Sequence, residues 1–468
     1  MPKAQIGVIG LGTMGESLAL NMAGKGFPVA VYNRTSERTK EFEGRVEKSM
    51  TVMLTYSLSA FLDALESPRR ILMMVTAGPA VDQVINQVSP LLSKGDILMD
   101  AGNSFFRDTE RRAKEASELG LHLLGVGVSG GEEGALKGPC IMAGGPKDAY
   151  EQVKTIFGRI AARTTSGVCS AYLGPGGAGH FTKMVHNGIE YALMELIAEA
   201  YDLQVAGLGM KVGTARDYFA YWNDHELQSY LMEITAQALS KVDAMTGRPL
   251  VEMILDRAKQ KGTGKWTSQT ALDLGVPIPT IDAGVSARNL SAYKEERVRA
   301  SKCYPPVKAA FRGDRSRLCG ELGDALYCSF MTSYAQGFAL LKAGSLEYGY
   351  GLPLDEVARI WKGGCIIRAK LLDLVQLAYA ADHDLANLLI DEDIRSILVK
   401  FEASWRHVVR VAKMLSVPTP AMDSALNYFD AYHRETLPAN LIQGLRDIFG
   451  AHTYERVDRK GSFHSDWK

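Results

Sequence analysis

A glycine-rich turn follows the first apolar run of the chain and restricts the possible folds more than any other segment. The run from Gln5 to Gly10 is typical of a β-strand, and from its last residue the sequence reads Gly10-Leu11-Gly12-Thr13-Met14-Gly15. In a GxGxxG turn between a strand and a helix, the first glycine permits the tight turn, the second lets a pyrophosphate approach the backbone, and the third lets the helix pack closely. The turn therefore predicts a dinucleotide site, and the alternative is a purely structural turn.

Short apolar runs alternate with helix-length segments over the first third of the chain. Runs that are apolar on both faces and separated by helices indicate a parallel sheet covered by helices. We therefore predict an α/β, Rossmann-type domain over residues 1–177. The further strands expected in it are Pro28 to Tyr32, Ile71 to Val75, Ile97 to Asp100 and Leu121 to Val126.

The pattern changes after the glycine-rich segment 174–177. From Ala178 to about Ala431 the apolar residues recur with helical period, which predicts a large all-α domain over residues 178–436. The remaining residues, 437–468, are expected to form a polar C-terminal tail that carries several Arg and His side chains.

The helical part contains a faint internal repeat. Tyr191 and Ala192 recur as Tyr334 and Ala335, and each pair is followed at a similar distance by Ala, Leu and Trp residues. A duplicated helical unit explains this recurrence, and chance similarity between helices rich in Ala and Leu is the alternative.

Composition limits the partners and the location. Lys and Arg together number 53, and so do Asp and Glu, so no global field favours nucleic acid or an anionic membrane. The chain begins without a secretory leader and has no apolar stretch that could span a bilayer, so we expect a cytoplasmic protein. The six cysteines lack the spacing of a zinc site, which predicts buried free thiols and no bound metal.

The end of the second predicted strand indicates which dinucleotide is bound. An NAD-binding domain usually has Asp or Glu there, whereas this chain has Asn33-Arg34-Thr35. A carboxylate would repel a 2′-phosphate, while Arg34 can pair with it bidentately and its two neighbours can add hydrogen bonds. The segment predicts a preference for NADP over NAD, and a solvated surface arginine is the alternative.

One face of the helix that begins near Ala178 is polar where a core face is expected. The residues in this stripe, spaced so that they share one face, are Lys183, His186, Asn187, Glu190 and Tyr191. We interpret it as the wall of a polar cleft that faces the nucleotide domain, and a solvated outer face is the alternative. The corresponding residues of the second copy carry no charge: Leu326, Ser329, Phe330 and Ser333.

Three loops offer groups for an anionic ligand. Lys261-Gly262-Thr263-Gly264-Lys265-Trp266 combines two ammonium groups, a hydroxyl and exposed backbone NH groups, so it can cradle a phosphate, although it is not a Walker A motif. The segments 100–104 and 128–131 follow predicted strands, where open α/β sheets bind ligands. Taken singly, either of these two loops is more typical of a structural turn.

Five segments together resemble the 6-phosphogluconate dehydrogenases, a family of the β-hydroxyacid dehydrogenase superfamily. The last three are highly specific, and all five stand in the order and spacing of that family along essentially the whole chain. The segments are Gly10 to Gly15, Asn33 to Thr35, Gly127 to Gly134, Lys183 to Tyr191 and Lys261 to Trp266.

The resemblance implies an oxidative decarboxylation of 6-phosphogluconate to ribulose 5-phosphate and carbon dioxide in the pentose phosphate pathway, with reduction of NADP and without a metal. Neutral Lys183 would take the proton of the C3 hydroxyl while C3 delivers a hydride to the nicotinamide, and the protonated lysine would then act as an acid during decarboxylation. Protonated Glu190 would deliver a proton to C1. Lys183 therefore needs a lowered pKa and Glu190 a raised one.

The resemblance also implies the binding residues. For the carboxylate and hydroxyl end of the substrate these are Asn103, Ser129, Gly130, Gly131, His186 and Asn187. For the phosphate end they are Tyr191, Lys261, Thr263, Arg288 and Arg446. The cofactor residues are Gly10, Leu11, Gly12, Thr13, Met14, Gly15, Asn33, Arg34, Thr35, Val75, Thr76, Ala77 and Asn103. The tail of one subunit would reach into its partner in a homodimer, where Arg446 and His452 complete the site.

The sequence departs from the family pattern at three positions. Thr76 stands where a lysine is frequent, which weakens the argument for the cofactor phosphate, and Cys140 and Ala143 replace serine and proline. An NAD(P)-dependent dehydrogenase of another, unphosphorylated β-hydroxyacid is the nearest alternative, but it leaves the 261–266 loop and the arginine-bearing tail unexplained. A non-catalytic nucleotide-binding dimer is the other alternative.

Overall fold

The computed structural model describes residues 3–260, 262–305 and 309–467. Its first part is an α/β domain. The strands are β1 (Ile6–Ile9), β2 (Val29–Tyr32), β3 (Val52–Thr55), β4 (Arg70–Met73), β5 (Ile97–Asp100), β6 (His122–Ser129), β7 (Cys140–Gly144), β8 (Arg163–Thr164), β9 (Gly167–Val168) and β10 (Ser170–Gly174). The helices are α1 (Thr13–Gly24), α2 (Ser36–Glu43), α3 (Leu58–Asp63), α4 (Pro79–Val88), α5 (Phe106–Glu118), α6 (Gly131–Lys137) and α7 (Lys147–Ile160), with a 3₁₀ turn at Ser89–Leu91.

Eight strands form the sheet, in the order β10-β7-β6-β5-β4-β1-β2-β3. The five predicted strands are present and run parallel to one another, so the Rossmann-type prediction is confirmed. Three strands of this sheet were not predicted: β3, β7 and β10. Of these, β7 runs antiparallel to β6, and β10 runs parallel to β7 at the edge of the sheet. Apolar clusters cover both faces of the sheet.

The second part is helical, as predicted. Its helices are α8 (Ala178–Asp202), α9 (Val212–Asn223), α10 (Tyr230–Ser240), α11 (Thr263–Asp273), α12 (Pro279–Ser291), α13 (Lys294–Cys303), α14 (Arg315–Glu347), α15 (Leu354–Ile360), α16 (Leu372–Ala381), α17 (Glu392–Met414) and α18 (Pro420–Tyr432). A π-helical turn, Leu203–Gly207, extends α8, and 3₁₀ turns occur at Leu250–Met253 and Leu388–Ile390.

The two long helices α8 and α14 pack side by side at the centre of this domain. A Cβ on Gly337 would lie 2.4 Å from a carbon of Ile189, so the glycine allows the close approach. Helix α8 also packs on β6 and β7, whereas α14 packs on α17. This difference explains why only the first copy carries the polar stripe. Ser329 and Ser333 are fully buried and donate hydrogen bonds to carbonyls of their own helix.

The ends of the two copies match as well. Val276-Pro277-Ile278-Pro279 leads into α12 and Val417-Pro418-Thr419-Pro420 leads into α18, with the last proline of each as the first residue of its helix, and the two helices pack on each other. Proline is favoured in the first turn of a helix because its missing NH has no partner there. The order of elements therefore supports the duplicated unit.

The tail consists of helix α19 (Ala439–Gly450) and the hairpin strands β11 (Tyr454–Glu455) and β12 (Ser462–Phe463). The prediction of a polar tail is wrong for α19, which has five large apolar side chains that are 50–73% exposed. They are Leu441, Ile442, Leu445, Ile448 and Phe449. The domain bounds 1–177, 178–436 and 437–468 stay predictions, with β10 ending at Gly174 and α8 beginning at Ala178.

Two predictions made from the composition can be compared with the structure: the burial of the cysteines and the lack of a membrane-spanning segment. Five cysteines are buried as expected, but Cys303 at the end of α13 is exposed, because α13 buries none of its side chains. No helix within the described ranges is both long and apolar enough to cross a membrane.

Candidate active site

The glycine turn lies at the carboxyl end of β1, and its three glycines meet different surroundings. A Cβ on Gly10 would lie 2.4 Å from the carbonyl oxygen of Met74, and one on Gly15 would lie 1.9 Å from that of Gly10. Gly12, the N-cap of α1, has no atom within 4 Å of its Cβ position. The first and third glycines are thus required by packing, whereas the second leaves open space in front of the helix N-terminus, where an anion is favoured.

A cleft of about 480 Å³ extends from this turn across the ends of β2 and β4. Arg34 lies in its wall, together with a second arginine, Arg38, that the sequence analysis did not select. Arg38 lies in the first turn of α2, and its guanidinium pairs with the carboxylate of Glu41 at 3.2 Å. The predicted cofactor residues in the wall are Gly10, Leu11, Gly12, Thr13, Asn33, Arg34, Thr35, Val75 and Thr76, and those outside it are Met14, Gly15, Ala77 and Asn103.

The side chain of Asn33 hydrogen-bonds to two backbone groups in this cleft. Its side-chain oxygen accepts a hydrogen bond from the backbone NH of Leu11 at 3.0 Å, and its amide donates to the carbonyl of Thr35 at 3.1 Å. The side chain therefore ties the glycine turn to the end of β2. Arg34, the next residue, is exposed.

The loop after β5 carries Asn103 and is organised by a buried carboxylate. Asp100 accepts hydrogen bonds from the NH of Gly102 at 3.1 Å and from the hydroxyl of Ser104 at 2.6 Å, and it faces Arg112 at 3.5 Å. Asn103 itself is exposed, above this network. Arg112 is 1% exposed and was not selected from the sequence, because its position in a predicted helix resembles that of any surface arginine.

The polar stripe of α8 faces the sheet and is enclosed. Lys183 is 6% exposed and His186 is fully buried, and a Cβ on Gly127 of β6 would lie 2.5 Å from the Cβ of Lys183. The alternative of a solvated outer face is therefore wrong. The Nζ of Lys183 lies 3.4 Å from Nδ1 of His186, whose Nε2 lies 3.3 Å from the hydroxyl of Ser129.

Two more residues of the stripe complete this cluster. The side-chain oxygen of Asn187 lies 3.2 Å from Nδ1 of His186, and a carboxylate oxygen of Glu190 lies 3.9 Å from the same nitrogen. Glu190 is partly exposed, with 21% of its side-chain surface accessible. The cluster thus runs from the end of β6 to a partly exposed carboxyl group on α8.

Burial shifts the titration of these groups in the directions that acid–base chemistry at neutral pH requires. Desolvation lowers the pKa of Lys183, which the carboxylate of Glu190 partly offsets. Desolvation raises the pKa of Glu190, against the charges of Lys183 and Arg288. The pKa of His186 is held well below its usual value by burial and by Lys183. A lysine that can lose its proton thus stands beside a carboxyl group that can keep one.

Farther along α8, aromatic and cationic groups lie together. The guanidinium of Arg288 stacks 3.6 Å from the ring centre of Tyr191. Thr263 is buried at the start of α11, and a Cβ on Gly264 would lie 2.6 Å from the Tyr191 ring. The fold thus brings Tyr191, Thr263 and Arg288 together. Lys261 lies outside the described residues.

The loop after β6, which carries the predicted residues Gly130 and Gly131, is held by a segment of the second helical copy. A Cβ on Gly130 would lie 2.6 Å from the carbonyl oxygen of Gly364, which also accepts a hydrogen bond from Cys140 NH at 2.8 Å. Gly131 has open space at its Cβ position. Trp361 packs edge-on against the His186 ring at 5.4 Å. No local signal in the sequence links Gly364 to Gly130.

The remaining predicted residues lie elsewhere. Arg446 donates a hydrogen bond to Gln443 at 3.0 Å, and the His452 ring packs on Phe449, so both side chains contact the tail itself. Cys140 and Ala143 are buried in β7. Within the described part of the chain, no group of three or more His, Cys, Asp or Glu side chains is arranged to hold a metal ion.

Comparisons with known proteins place this geometry in context. Residues 5–174 match the family model "NAD binding domain of 6-phosphogluconate dehydrogenase", and residues 179–467 match "6-phosphogluconate dehydrogenase, C-terminal domain". The decarboxylating 6-phosphogluconate dehydrogenase of Synechococcus elongatus is 53% identical, and the NADP(+)-dependent, decarboxylating enzyme of Bacillus subtilis is 51% identical; each comparison covers 100% of both chains. The structure of Plasmodium falciparum 6-phosphogluconate dehydrogenase matches with a TM-score of 0.96 at 42% identity, over 99% of this chain and 100% of that one.

Proposed function

Because the chain belongs to the 6-phosphogluconate dehydrogenase family, we propose that it converts 6-phosphogluconate to ribulose 5-phosphate and carbon dioxide with reduction of NADP. The observation that carries the proposal is the pair on α8, in which buried Lys183 has a lowered pKa and partly exposed Glu190 a raised one. This pair faces the loop of Ser129 and adjoins Tyr191 and Arg288.

The first chemical role belongs to Lys183. In its neutral form the amine accepts the proton of the C3 hydroxyl, since burial makes the charged form costly before substrate arrives. The glycine turn would hold NADP, whose nicotinamide would supply the acceptor for the hydride from C3. The resulting 3-keto acid loses carbon dioxide, and the ammonium of Lys183 stabilises the oxygen that gains negative charge.

The second role belongs to Glu190. Its raised pKa favours the protonated carboxyl group, which can protonate C1 after carbon dioxide leaves. His186, which is neutral because of burial, connects Lys183 to Ser129 by hydrogen bonds and orients the amine. Asn103, Gly130, Gly131 and Asn187 hold the carboxylate and hydroxyl end.

The phosphate end of the substrate lies toward the other end of the stripe. Arg288 offers the charge there, while Tyr191 and Thr263 offer hydroxyl groups. Lys261 is proposed as a further cation by the resemblance of its segment to the family. Arg446 and His452 complete this end from the tail of a second subunit.

The surface of α19 supports the proposed homodimer. Its five exposed apolar side chains have no cover among the described residues of their own chain, and such a face is costly unless another surface covers it. A second copy is the occupant proposed here. In that arrangement, each active site contains a polar stripe from one subunit and a tail from the other.

Subunit complementation tests the exchange of tails. Lys183→Met and Arg446→Ala dimers are each expected to be nearly inactive at low substrate concentration. In a mixed dimer made by co-expression with two tags, the site that retains Lys183 receives the intact tail, so about half of the wild-type activity should return. If the tail acted within its own chain, no site would be repaired.

The proposed cofactor is NADP, because Arg34 and Arg38 both border the cleft at the position of a 2′-phosphate. The direct test follows cofactor reduction and carbon dioxide release with 6-phosphogluconate and NADP, then NAD, with a chelator present. Equal yields of reduced NADP and carbon dioxide are expected. No turnover with either cofactor would overturn the proposal and would favour another β-hydroxyacid as the substrate.

A further inference from the structure

The tail contains one buried residue, and it is a carboxylate. Among the described residues from 431 to 467, Asp447 alone is buried, with 1% of its surface exposed. The apolar side chains of the same helix are at least half exposed. The tail therefore obtains its shape from polar contacts to Asp447 and not from an apolar core of its own.

Four donors converge on the Asp447 carboxylate. One oxygen accepts from the NH of Thr453 at 2.9 Å and from Nδ1 of His464 at 2.8 Å. The other accepts from the NH of Ser465 at 3.2 Å and from Nε1 of Trp467 at 2.7 Å. Because all four donors follow α19 in the chain, one side chain fixes the path of the backbone after the helix. Together they hold the pKa of Asp447 at about 2.

Gln443 reinforces the arrangement one turn earlier on the same face of α19. Its amide donates to the carbonyl of Thr453 at 2.5 Å, and its oxygen accepts from the guanidinium of Arg446 at 3.0 Å. Gln443 and Asp447 thus hold both the carbonyl and the NH of Thr453. The same two residues flank Arg446 along the helix.

The segment that they hold is a tight turn with His452 at its centre. Ala451 and Thr453 have φ values of 48° and 60°, in the left-handed region that residues with a Cβ seldom adopt. The NH of Ala451 donates to the backbone carbonyl of Asp447 at 2.9 Å. A turn with two such residues persists only where surrounding contacts fix it, and here those contacts come from Gln443 and Asp447.

We propose that Asp447, assisted by Gln443, is a positioning residue that fixes Arg446 and His452 relative to each other before the tail docks. The two side chains then enter the partner's site as a preformed pair, without the ordering cost of a flexible tail. This inference rests on the proposed function, because it assigns those two residues to the substrate site of a second subunit.

The variant Asp447→Asn tests the inference. The new amide NH₂ cannot accept hydrogen bonds, so donors on one side of the residue lose their acceptor. We expect the KM for 6-phosphogluconate to rise roughly tenfold to a hundredfold, which is the range for small misplacements of binding groups. The KM for NADP should change less than about twofold, since the cofactor cleft lies in the other domain. Asp458→Asn, the same change at an exposed tail carboxylate, is the matched control and should leave both constants unchanged.

An unchanged substrate KM in an intact Asp447→Asn dimer would overturn the inference. If that variant dissociates, Gln443→Met provides the test, since it leaves the four bonds to Asp447 in place. A raised substrate KM in the Gln443→Met dimer supports positioning, and a wild-type value overturns it. Size-exclusion chromatography establishes the dimer in each case.

Mixed dimers separate this inference from the proposed function. In an Asp447→Asn and Lys183→Met dimer, the site with Lys183 receives the intact tail, so its substrate KM should return to the wild-type value. A KM that stays raised would show that Asp447 acts within its own site, against the inference. Absence of turnover by the wild type would contradict the proposed function itself, whereas wild-type turnover with an unaffected Asp447→Asn variant contradicts only the positioning role.

Discussion

The Nζ of Lys183 lies 3.4 Å from Nδ1 of His186, and both groups are buried. Burial favours the neutral form of each, and a charge on Lys183 further disfavours one on His186. A positive charge on one of the two groups therefore opposes a second positive charge on the other. His186 acts as an orienting hydrogen-bond partner, while Glu190 is the group whose titration is coupled to that of Lys183.

The first prediction concerns the pH dependence of activity. Glu190 and Lys183 titrate closer together than their usual values of 4.5 and 10.5, because burial raises one pKa and lowers the other. The active state carries one proton on the pair, so kcat/KM should be bell-shaped with both limbs displaced toward neutrality.

The variant Glu190→Gln checks the assignment. It should lose the alkaline limb, because no proton remains to be lost from the acid. The acid limb should remain, because it reports loss of the proton from Lys183, and it should not move to lower pH, since the neutral amide resembles the protonated carboxyl group of the active state. The residual rate should be lower by roughly 10²–10⁴. A bell of unchanged shape would assign the alkaline limb to another group.

The second prediction compares two glycines of the cofactor turn. Gly12→Ala adds a methyl group where no atom lies within 4 Å, so the protein should fold normally but bind NADP poorly, because the new group occupies the approach of the pyrophosphate. Gly15→Ala places a Cβ 1.9 Å from a carbonyl oxygen of Gly10, so it should lower the melting temperature as well. Fluorescence titration with NADPH and thermal unfolding measure the two effects. Equal stability of the two variants would contradict this reading of the turn.

The third prediction concerns cofactor choice. Arg34→Ala should raise the KM for NADP by roughly 10- to 100-fold, because hydrogen bonds to charged groups contribute about 1.5–3 kcal/mol. The KM for NAD should stay nearly constant, since NAD lacks the 2′-phosphate. Arg45→Ala, on the same domain but paired with Glu16, is the control. A parallel rise for both cofactors would contradict a specific contact with the 2′-phosphate.

The fourth prediction concerns stability. Glu199 of α8 is buried and accepts hydrogen bonds from the backbone NH groups of Ala421 and Met422, the latter at 2.9 Å, at the start of α18. Burial outweighs these donors and raises the pKa of Glu199 to about 8. The folded chain therefore keeps a proton that the unfolded chain releases, so this group makes stability fall as the pH rises from about 4.5 to about 8.

Glu199→Gln removes this contribution. Between pH 6 and pH 9 the melting temperature of the wild type should fall more than that of the variant, as differential scanning fluorimetry can measure. Glu347→Gln, at an exposed position on α14, should behave like the wild type. Parallel pH curves for Glu199→Gln and the wild type would show that Glu199 keeps its ordinary titration.

The sequence predicts those parts of the molecule that depend on local pattern. The glycine turn, the five parallel strands and the shared face of Lys183 and His186 all follow from spacing within one or two elements. The antiparallel direction of β7 does not, since its apolar run has no feature that distinguishes the two directions. The strand β3 has a half-buried pattern over four residues, which is too short to separate from a loop.

Contacts between distant segments account for most of what the sequence analysis missed. Arg112 organises the Asn103 loop through Asp100, and Gly364 supports Gly130, although more than 200 residues separate the last two. Such pairs are set by the packing of whole elements. Asp447 was also missed, because an acidic residue in a polar tail predicts a solvated surface.

The hydrogen bond from the NH of Cys140 to the carbonyl of Gly364 attaches one side of the sheet to the helical domain, whereas the other side is not attached in this way among the described residues. On the side of β7, which pairs with β6, the helical domain is hydrogen-bonded to the α/β domain. Arg359 donates a further hydrogen bond to the carbonyl of Val168 at 2.8 Å. The opposite margin, with β2 and β3, has no comparable fastening among the described residues. A displacement of the β2 and β3 edge would leave these bonds intact, so the loop after β6 would keep its contacts with the helical domain.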